Sequence, residues 1–124
     1  MNNIVLFDMD GTLTEPRKVI ESDIVPALRE LCKITEIGIV TGSDYDYVRQ
    51  QIGTLLENTE LRYRIHILPC NGTKYYPPPN IANKEYQIAH QVNMREKLGE
   101  SNFRAIIRYL LQRQHLLFVY DLPV

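Results

Sequence analysis

The first dozen residues constrain this chain most. Ile4-Val5-Leu6-Phe7 is a continuous apolar run that ends abruptly in Asp8-Met9-Asp10-Gly11-Thr12. A short unbroken apolar run closed by a turn reads as a strand buried on both faces of a parallel sheet; a half-wet strand would alternate. Gly11 permits a tight bend. Asp8 and Asp10 then lie at the C-terminal end of that strand, where open α/β sheets bind their ligands.

The rest of the chain continues the rhythm. Ser22 is expected to cap a helix, with Asp23 in its first turn and Pro26 tolerated there. Ile24, Leu28, Leu31 and Cys32 follow at helical spacing. A second strand, Ile37-Gly38-Ile39-Val40, runs into Thr41-Gly42-Ser43-Asp44, where Ser43 or Asp44 can cap a helix bearing Val48, Ile52, Leu55 and Leu56. Ile65-His66-Ile67-Leu68 reads as a third strand, closed by Pro69-Cys70-Asn71-Gly72. This order predicts right-handed parallel crossovers in an α/β fold.

Past residue 72 the pattern changes. Thr73 to Tyr76 reads as one arm of a hairpin, and residues 84–90 alternate as a strand with one wet face would. Pro77-Pro78-Pro79 is the expected boundary, giving an α/β unit over 1–80 and a second segment over 81–124. In that segment Ser101 is expected to cap an amphipathic helix marked by Phe103, Ile106, Ile107, Leu110 and Leu111. Leu116 to Tyr120 is apolar and β-prone.

Composition removes several classes of function. With 14 basic against 15 acidic side chains and a net charge of −1, the chain has no basic excess for a nucleic-acid partner. Its apolar runs fall well short of the ~20 residues of a membrane helix, and no signal peptide is visible, so a cytoplasmic protein is expected. Cys32 and Cys70 fit reduced thiols, and His66, His90 and His115 lack zinc-ligand spacing.

The Asp pair points to phosphoryl chemistry. A carboxylate at position 8 can attack phosphorus to form an aspartyl-phosphate, and Asp10 can protonate the leaving oxygen and later deprotonate the acceptor. Anions facing a phosphate need a counter-charge, so a hard, oxygen-seeking ion such as Mg²⁺ is implied.

Phe7-Asp8-Met9-Asp10-Gly11-Thr12-Leu13-Thr14 resembles the first motif of the haloacid dehalogenase superfamily of phosphotransferases. Pro16-Arg17, Ile37 to Asp44 and Leu68-Pro69-Cys70-Asn71-Gly72 further resemble the eukaryotic-type phosphomannomutases, and Leu98-Gly99-Glu100 with the helix after it resembles the start of that family's cap. The resemblance implies a Rossmann-like core followed by the beginning of an α+β cap. Asp8 would be nucleophile and Mg²⁺ ligand, and Asp10 acid/base and a second ligand through its carbonyl. Thr41, Gly42 and Ser43 would hold the phosphoryl group, Arg17 would orient the sugar phosphate, and Asn71 would shape the rim. Thr41 stands where phosphomannomutases usually carry Gly and superfamily phosphatases carry Thr or Ser.

The resemblance also implies that this stretch lacks the family's cap arginines, its lysine beside the aspartyl-phosphate and its later acidic metal motif. Leu116 to Asp121 has the local shape of that metal-binding strand, though alignment makes it the tail of the first cap helix. The family's first strand is central, so its edge here is expected to pair with another copy or a completing second chain. Three functions remain open: phosphomannomutase-like phosphotransfer on a hexose phosphate, sugar-phosphate hydrolysis, and a non-catalytic phosphate-binding remnant or part of a split enzyme.

Overall fold

The computed structural model describes residues 3–119, with side-chain surroundings through residue 117. These residues fall into two compact units, one running to Gln91 and one starting at Val92.

The first unit is built on three parallel strands, β1 (Ile4–Phe7), β2 (Glu36–Val40) and β3 (Ile65–Leu68), in the order β1-β2-β3. The register sets Leu6 beside Gly38 and Gly38 beside His66. Two helices, α1 (Val25–Cys32) and α2 (Tyr45–Asn58), make the crossovers. Because consecutive strands step the same way across the sheet, right-handed crossovers put both helices on one face. There Ile37, Ile39, Ile65 and Ile67 are buried with Leu28, Val48, Ile52, Leu55 and Leu56.

The opposite face has a different fate. Ile4 and Leu6 are 44% and 54% exposed there, and Val5, beside Ile37 on the helix-bearing face, still reaches 36%. The expected burial of this strand on both faces is therefore corrected: within this unit α1 and α2 cover only one face, and among the described residues no strand pairs with the outer edge of β1. A Cβ built on Gly38 would lie 2.6 Å from Leu6 Cδ2, so the missing side chain is what lets Leu6 lie across the sheet. Beside it Tyr75 and Glu36 flank His66, at 2.7 Å from Nδ1 and 3.3 Å from Nε2.

Local details shift too. The expected Ser22 cap is a 3-10 turn, Ser22–Ile24, and α1 begins after it with Pro26 in its first turn. Asp44 is the cap of α2, accepting from Tyr47 N at 2.8 Å. The hairpin is short: β4 (Lys74–Tyr75) pairs antiparallel with β5 (His90–Gln91). Residues 84–89, expected as strand, are irregular because they are held by a plug instead of a ladder. Tyr86 is 8% exposed, and its hydroxyl lies 2.7 Å from Ile65 O and 2.9 Å from Arg62 O.

The second unit holds α3 (Met94–Leu98) and α4 (Glu100–Val119). Asn93 caps α3, accepting from Arg95 N at 3.0 Å, and Gly99, at φ 81°, breaks the chain between the helices. Ser101 lies inside α4 and does not cap it. Leu116 to Val119 continue that helix, so the β-prone reading is overturned in favour of a helical tail. Asp121 lies outside the described residues. No helix among them is long and apolar enough to cross a membrane.

Candidate active site

Parallel strands bring their C-terminal loops to one edge of the sheet, and the candidate residues collect there. After β1, burial alternates: Asp8 is exposed, Met9 fully buried and Asp10 half-buried. Met9 is the pin of the turn. Its carbonyl accepts from the backbone N–H groups of Thr12, Leu13 and Thr14, each at 3.0 Å, while Gly11 N donates to Thr14 O at 2.7 Å. Gly11 sits at φ 80°, a conformation that costs a side-chain-bearing residue about 1–2 kcal/mol.

After β2 the chain turns through Thr41-Gly42-Ser43. Thr41 is buried, and its Oγ1 accepts from Ser43 N at 3.2 Å. The loop after β3 braces this turn from behind, with Asn71 N donating to Thr41 O and Cys70 N to Ser43 O, both at 2.8 Å. Cys70 and Asn71 take positive φ angles of 53° and 57° to make these bonds. Asn71 reaches Gly42 as well, since a Cβ there would meet Asn71 Oδ1 at 3.3 Å.

Asp8, Asp10, Arg17, Thr41, Gly42 and Ser43 line one open cleft of about 660 Å³. Of the residues expected at the site, only Asn71 stands off this wall, behind Gly42. Arg17 is held by two contacts. Its backbone N donates to Asp10 Oδ1 at 3.1 Å, and its guanidinium lies 5.0 Å from the Tyr47 ring centroid. The left-handed backbone at Arg17, φ 62°, is strained for a non-glycine residue and accompanies this geometry.

One contributor was not anticipated. Gln51 on α2 is 3% exposed, and its Nε2 donates to Asp10 Oδ1 at 2.9 Å. That hydrogen bond first, and the Arg17 N–H second, hold the Asp10 carboxyl below the usual carboxylate range. The trace in the sequence is a glutamine beside Ile52 in an otherwise apolar stripe from Val48 to Leu56.

A carboxylate just past the first strand, a second carboxylate two residues on and a hydroxyl-bearing turn after the next strand meet at one edge of a parallel α/β sheet. The chain matches the haloacid dehalogenase-like hydrolase family over residues 5–122 and belongs to it. It is 31% identical to a phosphomannomutase of Glycine max over 98% of its own length and 43% of the relative's. To phosphomannomutase 1 of Dictyostelium discoideum it is 32% identical, over 99% and 44%. The chain thus spans less than half the length of these relatives. Its fold is shared with a haloacid dehalogenase-like hydrolase of B. subtilis, at a TM-score of 0.62 and 18% identity, covering 90% of this chain and 34% of that one.

Proposed function

We propose that the cleft transfers a phosphoryl group of a hexose phosphate through Asp8, in the manner of a phosphomannomutase. The observation that carries this reading is the convergence of Asp8, Asp10, Arg17 and the Thr41-Gly42-Ser43 turn on one cleft. A carboxylate oxygen of Asp8 forms a bond to phosphorus as the phosphorus–oxygen bond to the sugar breaks. The proton that the leaving oxygen needs comes from Asp10. In the second half a sugar hydroxyl attacks phosphorus, its proton passes to Asp10, and Asp8 leaves as a carboxylate.

Asp10 is ionised at rest, which suits the second half. An incoming phosphate dianion favours its protonated form and so readies it for the first. Thr41, Gly42 and Ser43 offer hydroxyl and N–H donors to the phosphoryl oxygens, and Arg17 supplies positive charge in the same cleft.

The Asp8 carboxylate and the Asp10 carbonyl are hard oxygen donors on an open cleft, a set that fits Mg²⁺ completed by water and phosphate oxygens. Asp44 and Asp46 also line the cleft, but among the described residues no three carboxylate, histidine or cysteine side chains come together as a metal-holding group. Bound there, Mg²⁺ would offset the repulsion between carboxylates and phosphate.

Thr41 favours a second reading, hydrolysis, in which water replaces the sugar hydroxyl. Labelled phosphate offered from a hexose bisphosphate with Mg²⁺ tests both. We expect acid-stable, hydroxylamine-labile label on the wild-type chain and none on Asp8→Asn. Sugar monophosphate carrying the label marks the mutase and free phosphate the hydrolase. An unlabelled wild type overturns both and leaves a binding remnant or part of a split enzyme.

A further inference from the structure

We infer that Gln51 is the positioning residue of this site: it fixes one oxygen of Asp10 and the Arg17 loop together, leaving the other oxygen to carry the proton. The inference rests on the phosphotransfer reading for its chemistry, but its geometry stands apart from it.

Four groups converge on this buried side chain and its backbone. Gln51 Nε2 donates to Asp10 Oδ1 at 2.9 Å and to Lys18 O at 3.1 Å, with Thr14 Oγ1 at 3.5 Å. Its carbonyl accepts from Ile20 N at 2.9 Å. The segment from Asp10 to Ile20, which presents Arg17, is therefore pinned to α2 at both ends by a single residue. The amide can face only one way. Turned over, Oε1 would confront a carboxylate and a carbonyl, which have no hydrogen to give.

That orientation has a cost. Oε1 is buried with no hydrogen-bond partner among the described residues. A leucine would fill the same volume without an orphaned acceptor, but it would take the donor away from Asp10 Oδ1 and Lys18 O. The glutamine donor is what the site uses. Oδ1 of Asp10 accepts from both Gln51 Nε2 and Arg17 N, which occupies its lone pairs. Oδ2 has no protein partner among the described residues, and it is the oxygen left for proton transfer at the cleft.

The test compares two phosphoryl donors on the full chain. Acetate leaves acetyl phosphate readily without protonation, whereas a sugar alkoxide leaves only when an acid protonates it. Gln51→Met keeps the shape and removes the donor; Gln51→Glu keeps the shape and places an acceptor there. In both variants label on Asp8 from acetyl phosphate should fall only by the several-fold share that the loosened Arg17 loop costs either donor. Label from a hexose bisphosphate should be slowed about 100-fold, as for a misplaced catalytic group. Equal slowing with both donors, or none with either, overturns the assignment.

A second readout needs no turnover. In either variant the Arg17 amide should lose hydrogen-exchange protection while the Ile20 amide, bonded to the Gln51 backbone, keeps it. An Arg17 amide that stays protected overturns the clamp. If the wild type takes label from neither donor, the phosphotransfer reading fails, and the Arg17 amide alone decides whether the clamp exists.

Discussion

At the scale of single residues, the site depends on backbone conformations that ordinary side chains resist. Gly11 at φ 80° lets Gly11 N reach Thr14 O and Met9 O collect its ring of donors. Gly11→Ala should destabilise the chain by about 1 kcal/mol in urea denaturation, the cost of a left-handed residue with a Cβ. It should also lower label uptake by Asp8, because Asp10 rides on the same turn. Retained stability with unchanged uptake would show that the turn tolerates a side chain. Arg17, Cys70 and Asn71 occupy the same region without glycine's freedom, and each is held by neighbours. The Asp pair was legible from its place after an apolar run. Gln51 was not, because a polar residue in an apolar stripe has no meaning until the loop it faces is in place.

Elements here are specified to different degrees. The three strands and α2 follow from apolar runs and spacing, and Asp44 caps α2 as a short acid before a helix should. The region after β3 follows another logic. Residues 84–89 alternate like a strand, yet Tyr86 drives its ring into the core and brings its hydroxyl to the Ile65 and Arg62 carbonyls. Burial pushes the Tyr86 hydroxyl pKa well up, so the folded chain keeps it neutral. A group whose folded pKa is raised adds stability that is present below its unfolded pKa and fades as pH climbs toward the folded value. The wild type should therefore lose stability above pH about 10, where unfolded tyrosine ionises. Tyr86→Phe should cost about 1 kcal/mol near neutral pH through the lost hydrogen bond. It should also flatten part of the alkaline decline, with Tyr45 and Tyr75, raised by burial in the same sense, supplying the rest. Parallel urea midpoints at both pH values check this, and an identical alkaline slope would remove Tyr86 as its source.

At the scale of the sheet as a whole, the first unit's helices dress one face, while on the other Ile4 and Leu6 of β1 stay exposed. Ile4, Val5 and Leu6 are exposed on a strand whose outer edge pairs with nothing among the described residues. An open apolar edge is a template for another strand, and two copies of the same edge can pair about a twofold axis. We expect the mass of the 124-residue chain in sedimentation to rise with concentration. Leu6→Lys, which puts a charge on the edge strand, should suppress that rise. A monomer mass at both low and high concentration would rule out pairing through β1.

The order of strands and helices, the Asp8 and Asp10 pair and the Thr41-Gly42-Ser43 turn were determined by sequence alone, because each is a local pattern of polarity and bend within a few residues. Their meeting in one cleft was implied by the parallel strand order, which brings all strand ends to one edge. Which side of β1 would be covered, whether residues 84–89 would pair or plug, and which oxygen of Asp10 would be held were decided only by tertiary structure. Each depends on a partner tens of residues away: Gly38 under Leu6, Ile65 above Tyr86, Gln51 against Asp10. Local patterning sets what a segment can do; the neighbour it meets selects what it does.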